Sequence, residues 1–539
     1  MQVEAGTEPA RRGRIVMLVD NGVTADSRVQ KAAHSAAEAG WEVFLIGRAP
    51  GKKPRSWMLG GAHVRLVPVP MTLGAPRRVV RSQLRRPLAY PDADTADYRR
   101  RLVQSRMADL AADRLARASG SPASPLALSI ARRAAAKVQS RWVALRERQT
   151  ESLAEARRDL NSPLERLAIR FWQTLLGDRC WRILDRTLWD WDIAYARTVD
   201  KLEPDIIHAN DFRMLGVGAR ATRRARARGR DVKLVWDAHE FLPGVSPWRA
   251  GPRWLPAMCA HEREYSGLPD EVVTVSEELA DLLIERHALP KRPTIVLNAP
   301  VTEPVAAAAA PVRDGAEPVP GERAPVPDLR ELCGIAPQTP LAVYSGAAAV
   351  QRGLDIMIET LPRLPRLHVA LVVSKPKSEY VQALLARADE LGVADRVTAL
   401  DYVPFDQVVE FLSAADFGVI PIHHWPNHEI ALITKFFEYS HARLPIIVSD
   451  VRAMGAMVRD TGLGEVFRAE DGDDYVRAVE AVLTDPDKYR GVYDSRPELL
   501  QDWTWAAQAE VLNDVYARLL PADSARTTPS APSPAAAST

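Results

Sequence analysis

In the stretch "LITKFFEYSHARLPIIVSD" (residues 432–450), Lys435 and Glu438 stand three residues apart. On a helix that spacing makes them neighbours on one face. Thr434 just ahead is a candidate N-cap, which puts Lys435 at the first helical position. A cation there works against the helix dipole unless an anion lies close by, and a carboxylate one turn on can accept hydrogen bonds from vicinal hydroxyls. A diphosphate next to a ribose meets both demands. The competing reading is a solvated ion pair at i,i+3, worth ~0.3 kcal/mol.

Other residues could serve the same chemistry. "YSGAAAVQRG" places Gly346 at a strand-to-helix turn, with Arg352 and Gly353 opening the next helix. A glycine lets the backbone approach a ligand, and an arginine near a helix N-terminus can grip phosphate by its fork. The same residues also make an ordinary turn beside a solvated charge. "DAHE" ends a strand with His239 and Glu240, and "DIIHAND" ends another with His208, Asn210 and Asp211. A histidine beside an acid can reach a phosphate or simply satisfy a loop. Asn427, His428 and Glu429, just ahead of Lys435, are candidates for sugar hydroxyls. No dinucleotide fingerprint follows the first strand, where "DNGVTADSR" lacks GxGxxG, so a nicotinamide enzyme is disfavoured. Cys180, Cys259 and Cys333 are far apart, without ligand spacing, which argues against a zinc site or a disulfide framework and for a reducing cytoplasm.

These residues need strands and helices to hold them. From Arg14, "RIVMLVD", "SRVQKAAHSAAEAG" and "WEVFLIG" read as strand, helix and strand, and "AHVRLVPV" adds a further strand. The rhythm resumes at "DIIHAND", "VKLVWDAHE", "EVVTVSEELADLLIERH" and "TIVLNAP", and again at "LAVYSG", "LHVALVVS", "RVTALDYV", "FGVIPI" and "LPIIVSD". Apolar runs separated by helix-period segments predict α/β architecture with two doubly wound parallel sheets, and ligand between them at the carboxyl ends of the strands. The expected organisation is a disordered N-terminus (1–13) and a first Rossmann-like domain (14–300) carrying a helical basic insert (71–198). A Pro/Ala-rich linker (301–327), a second Rossmann-like domain (328–502), a terminal helix (503–520) and a disordered tail (521–539) follow.

The 539-residue chain has a net charge of +2, but residues 71–170 hold 21 Lys/Arg against 10 Asp/Glu. Across the insert tryptophan and leucine interleave with arginine, as in "LERLAIRFWQTLLGDRCWRILDRTLWDW" (164–191). Two readings are open: an amphipathic surface for a membrane interface, or a helical cap whose tryptophans pack inward. No nucleic-acid recognition motif accompanies the charge. No run of about 18 apolar residues occurs, so neither secretion nor membrane spanning is expected.

Taken in order, "DSRVQKAAHSAAEAGWEV", "DIIHAND", "VWDAHE", "YSGAAAVQRGLDIMIE", "RVTALDYVPFDQVVEFLSAADFGVIPI" and "TKFFEYSHARLPIIVSD" resemble the retaining glycosyltransferases of the GT-B fold, family 4 type (glycosyl transferases group 1). The likeness covers most of residues 14–300 and 340–520 and leaves out the insert, the linker and the tail. It implies that Glu438 binds the ribose of a sugar nucleotide and that Arg352 and Lys435 hold the diphosphate. It further implies that His239 reaches the donor sugar or its phosphate, and that "WTWAAQAEVLNDVYARLL" crosses back onto the first domain. Three positions depart from the pattern: Ala347 stands where a first basic residue is usual, Ile430 replaces the first motif glutamate with Glu429 offset by one, and Arg443 replaces a glycine.

The resemblance thus implies a retaining transferase of hexosyltransferase type, taking a sugar from a UDP- or GDP-linked donor to an acceptor. The expected setting is polysaccharide or glycolipid assembly, in the cytoplasm or at the inner face of the membrane. The catalytic set is His239, Arg352 and Lys435, and the donor-binding set is Gly346, Arg352, Lys435, Glu438, Asn427 and Glu429. No cofactor and no obligatory metal are expected; the acceptor is open, lipid-linked in one reading. A nucleotide-sugar epimerase and a non-catalytic nucleotide-sugar-binding module remain as alternatives.

Overall fold

The computed structural model describes residues 12–24, 26–73, 88–118, 126–159, 162–245, 251–302, 326–404 and 407–521. The expected terminal disorder up to residue 11 and from 522, and linker residues 303–325, lie outside the described residues. Two compact units emerge. One runs over Met1–Pro70, Trp191–Val245 and His261–Thr539; the other comprises Met71–Asp190 with Ser246–Ala260. Residues 191–198, read with the insert from sequence, therefore sit in the sheet-bearing unit, and 246–260 in the helical one.

The larger unit contains two sheets. The first is built from β1 (Arg14–Leu18), β2 (Glu42–Arg48), β3 (Arg55–Leu59), β4 (Ala62–Val67), β5 (Ile206–Asn210), β6 (Lys233–Ala238), β7 (Glu271–Thr274) and β8 (Thr294–Ile295). Its order is β3-β4-β2-β1-β5-β6-β7-β8. All pairs are parallel except β3 with β4, a hairpin at the edge that the sequence did not announce. "RSWML" carries no alternation of apolar and polar residues strong enough to mark it. The second sheet takes β9 (Leu341–Ser345), β10 (His368–Val372), β11 (Val397–Leu400), β12 (Phe417–Ile420), β13 (Ile446–Ser449) and β14 (Gly464–Phe467) in the order β11-β10-β9-β12-β13-β14. Its central strands β9, β12 and β13 are buried at every residue, as continuous apolar runs in a sheet covered on both faces should be.

Register sets the working edge of each sheet. Leu18 pairs with Ala209 and Asn210 with Asp237, so the residues after β1, β5 and β6 emerge side by side. In the second sheet Ser345 pairs with Val372, and the Gly346 amide closes that row on the Val372 carbonyl at 2.8 Å.

The helix Trp505–Leu519 belongs to the core of the first sheet. Its Trp505, Leu512, Val515 and Tyr516 share one apolar cluster with Ile15, Met17, Val43 and Ile206. The Tyr516 hydroxyl lies 2.8 Å from His208 Nδ1. Thr504 starts this helix by accepting the Ala507 amide.

The helical unit is an antiparallel hairpin with shorter helices. Helix Ala93–Ala118 meets helix Leu126–Arg158 through Arg100 with Glu147 (3.2 Å), Arg106 with Gln139 (2.6 Å) and Arg117 with Ser129 (3.4 Å), partners that descend as the first helix ascends. Its tryptophans divide: Trp181 is buried and packs against Trp189 at 5.1 Å, whereas Trp142 is exposed.

Candidate active site

Helix Thr434–His441 carries the residues singled out first. Thr434 is not its N-cap: Ile433 holds that place without a side-chain bond, and Thr434 is the first helical residue. Its hydroxyl instead accepts from Asn298 Nδ2 at 2.8 Å, which ties the helix start to the first lobe. Lying inside the helix rather than before it, Thr434 is out of place to cap the first amides, and its hydroxyl serves the cross-lobe contact.

Lys435 runs directly over Gly346. A Cβ at position 346 would stand 1.7 Å from Lys435 Cε and 2.2 Å from Nζ, so only glycine leaves the lysine its course. The backbone adds a second demand, since Gly346 has φ +138. Burial pulls the Lys435 ammonium down to about 8, Glu438 favouring its charge and Arg352 opposing it. Two neighbouring cations with one buried carboxylate leave this turn in need of an anion. Arg352 lies in the short turn Val350–Arg352, which Gly353 closes at φ +66, ahead of the helix Asp355–Glu359 rather than at its opening.

Glu438 is 7% exposed, and its Oε2 has no hydrogen-bond partner among the described residues. Burial pushes its carboxyl above the usual range, while Lys435 and Lys31 pull it back. A buried carboxylate oxygen left without a donor costs about 1–3 kcal/mol, and a ligand hydroxyl would relieve that cost. Sequence reasoning missed Lys31. It sits on helix Ser27–Glu38, 5% exposed, donates to Asn298 Oδ1 at 3.0 Å and lies 4.8 Å from the Trp505 ring centre. Burial lowers it to about 7. The one sequence signal was two cations, Arg28 and Lys31, on the face of that helix that also carries Val29, Ala32 and Ala36.

Arg28 makes a two-pronged bond to Asp237 at 2.9 and 3.0 Å, with His208 Nε2 3.6 Å from the same carboxylate. Burial alone would raise Asp237, but Arg28, His208 and His239 hold it well below the ordinary range. His239, one residue past β6, places Nε2 3.2 Å from Asp211 Oδ2 and Nδ1 3.9 Å from Asp237 Oδ1. Burial opposes its charge, yet the two carboxylates hold it well above an ordinary histidine, which favours its protonated form. These contacts group His239 with the strand ends of the first sheet; none links it to Lys435 or Arg352.

Asn427 and Glu429 take other work. Asn427 Oδ1 accepts the Phe241 amide at 3.0 Å, and Trp425 Nε1 donates to the Gly244 carbonyl at 3.0 Å, so the loop after β6 is fastened to helix Pro426–Ile430. Glu429 accepts from His424 Nδ1 at 2.6 Å and from the Arg452 amide at 2.9 Å, capping helix Arg452–Thr461. Both its oxygens are occupied. His428 is buried, donates from Nδ1 to the His423 carbonyl at 2.8 Å, and is lowered by burial, so it stays neutral near pH 7. Gly346, Arg352, Lys435 and Glu438 form one group, and Asn427 bridges the lobes.

Two doubly wound sheets with such a group at the strand ends define a GT-B architecture. Residues 339–485 match the family model for glycosyl transferases group 1, and residues 126–302 match that for glycosyltransferase family 4. The chain belongs to these GT-B glycosyltransferases. The family 4 match starts at residue 126, so the second half of the insert lies inside the family pattern, not outside it. A D-inositol 3-phosphate glycosyltransferase of Nocardia farcinica is 29% identical over 195 residues, 35% of this chain and 42% of that protein. Another, from Rhodococcus jostii, is 23% identical over 47% of this chain and 54% of its own. The chain thus spans about half the length of the curated relatives it matches. Among solved structures, sucrose-phosphate synthase from Thermosynechococcus elongatus aligns over 94% of this chain and 99% of its own at 15% identity, TM-score 0.58. Anabaena HepE in complex with UDP and glucose aligns over 94% and 100% at 12% identity, TM-score 0.52. These two share the fold. Among the described residues, no helix is long and apolar enough to cross a membrane.

Proposed function

We propose that the chain transfers a sugar, with retention, from a nucleoside diphosphate sugar to an acceptor in surface polysaccharide or glycolipid synthesis, working at the inner face of the cell membrane. One observation carries this reading: Lys435 crosses Gly346 where it feels the charge of Arg352, one turn from the unpartnered Oε2 of Glu438. The diphosphate lies on Gly346 between Lys435 and Arg352, and the ribose hydroxyls donate to Glu438. HepE holds UDP and glucose on a similar fold, in keeping with a UDP-linked donor; GDP is the other candidate.

As the glycosidic bond breaks, negative charge grows on the departing diphosphate, and the two fixed cations are placed to stabilise it without reorganisation. In this reading no resident cofactor or metal is required. His239, its protonated form favoured by Asp211, reaches the donor from the first lobe. Glu429 is engaged elsewhere, so it is not the nucleophile of a double displacement. The acceptor hydroxyl then attacks on the side from which the diphosphate leaves, passing its proton to the departing diphosphate oxygen as the new bond to the sugar forms.

The test is turnover of UDP- and GDP-sugars with and without candidate glycolipid acceptors, reading diphosphate release and the anomeric configuration of the product by NMR. Acceptor-dependent release with retained configuration supports the proposal. Conversion of the sugar nucleotide without acceptor would make the chain an epimerase, and binding without release a non-catalytic module.

A further inference from the structure

The helical unit presents a surface that the sugar-nucleotide reading leaves unused. On helix Pro163–Leu176, Leu167, Phe171 and Leu175 recur every fourth residue and are 65%, 53% and 61% exposed. Three large apolar side chains in one stripe are not ordinary scatter on a water-facing surface. The helix is held firmly behind them. Glu165 and Ile169 are buried on another face, Arg253 Nε donates to Glu165 at 2.6 Å, and Ser162 caps the start.

Beside the stripe, a cavity of about 330 Å³ is lined by Arg166, Ile169, Arg170, Gln173, Leu255 and Pro256. Helical geometry at 100° per residue puts Arg166 and Arg170 along the edge of the stripe. The long helix Leu126–Arg158 repeats the arrangement: Leu126, Ile130, Val138 and Trp142 are exposed, with Lys137 and Arg141 on the same side.

We propose that helix Pro163–Leu176 lies on an anionic lipid bilayer, with Leu167, Phe171 and Leu175 in the acyl boundary and Arg166 and Arg170 on headgroup phosphates. Charge selects this occupant. The exposed cations beside the two stripes, Arg166, Arg170, Lys137 and Arg141, would repel the same surface of a second copy and attract anionic lipid. Nucleic acid would meet the arginines but leave the aliphatic stripe without a partner. The cavity suits the same ligand, with arginines at its edge for a phosphate and Ile169, Leu255 and Pro256 for the first methylenes of an acyl chain. This surface gives physical content to the membrane setting proposed above and shares no residue with the donor site.

Vesicle co-sedimentation of the full chain tests it, with phosphatidylcholine vesicles and with phosphatidylcholine–phosphatidylglycerol vesicles. The wild type should pellet with the anionic vesicles alone, and added salt should weaken binding. Leu167→Gln/Phe171→Gln should bind at least ~10-fold more weakly. Arg166→Gln/Arg170→Gln should lose most of the salt dependence. The substituted side chains face water, so thermal melts should match the wild type. Wild-type protein that stays in the supernatant with both vesicles would overturn the proposal, as would an apolar double variant that binds equally well. A self-association in sedimentation equilibrium that the apolar variant abolishes would assign the stripe to a second copy. Nucleotide titration of the same variants separates the two readings, because a chain that binds nucleotide but no vesicle contradicts only the surface assignment.

Discussion

Gly346 and Lys435 belong to different elements of the second lobe but share one space, the lysine passing where any side chain at 346 would stand. Gly346→Ala should therefore displace Lys435 and strain a backbone at φ +138. We expect the variant to fold with ~1–2 kcal/mol less stability, and to bind nucleoside diphosphate at least ~10-fold more weakly. Thermal melts and calorimetric titration read the two effects separately.

The lowered Lys435 makes donor binding pH-dependent. Burial brings it to about 8 in the free protein, and a bound diphosphate would favour its protonated form. Affinity should be highest below about 8 and fall as pH rises through that value, by up to ~10-fold per unit, because binding must then take up a proton. Lys435→Met should bind more weakly and lose that slope, apart from a remainder owed to Lys31, itself lowered to about 7. A wild-type profile flat from pH 7 to 9.5 would remove Lys435 from the diphosphate.

Glu438 is assigned to the ribose, so Glu438→Gln should cost affinity for UDP or GDP while changing that for the 2′-deoxy analogues much less. The wild type should prefer the ribo form, and the variant should not. Stability should fall by up to ~3 kcal/mol, since the variant leaves Lys31 and Lys435 buried without the carboxylate's attraction.

Glu429→Ala should behave in the opposite way. It uncaps helix Arg452–Thr461 and frees His424, costing ~1 kcal/mol of stability with nucleotide affinity intact. A tenfold loss of donor affinity without destabilisation would return Glu429 to the donor site.

Arg443 occupies φ +57 at the end of the motif helix, a conformation that disfavours any residue with a Cβ. Arg443→Gly should raise stability by ~1 kcal/mol, less the small contribution of its exposed pair with Asp494. A melt unchanged or lowered would contradict this.

The architecture was legible because its strands are short apolar runs set between helix-period segments, and the shared face of Lys435 and Glu438 because a three-residue spacing on a helix fixes it. What escaped notice depends on distant pairs. Thr434 reads as a cap until Asn298, 136 positions away, takes its hydroxyl. Lys31 reads as one of many helix cations until the second lobe sets Glu438 beside it. Glu429 reads as a sugar ligand until Arg452 and His424 claim both oxygens. Local patterns specify elements, whereas a site assembled between two lobes is specified by contacts that no window of sequence contains.

The most direct test of the central claim is calorimetric titration of the purified protein with UDP and with GDP, alongside Arg352→Ala and Glu438→Ala. Micromolar binding of one nucleotide, weakened at least ~10-fold in each variant, is the predicted result. Binding of neither nucleotide by a folded wild type, or binding that both variants leave unchanged, would contradict the assignment of Gly346, Arg352, Lys435 and Glu438 as the donor site.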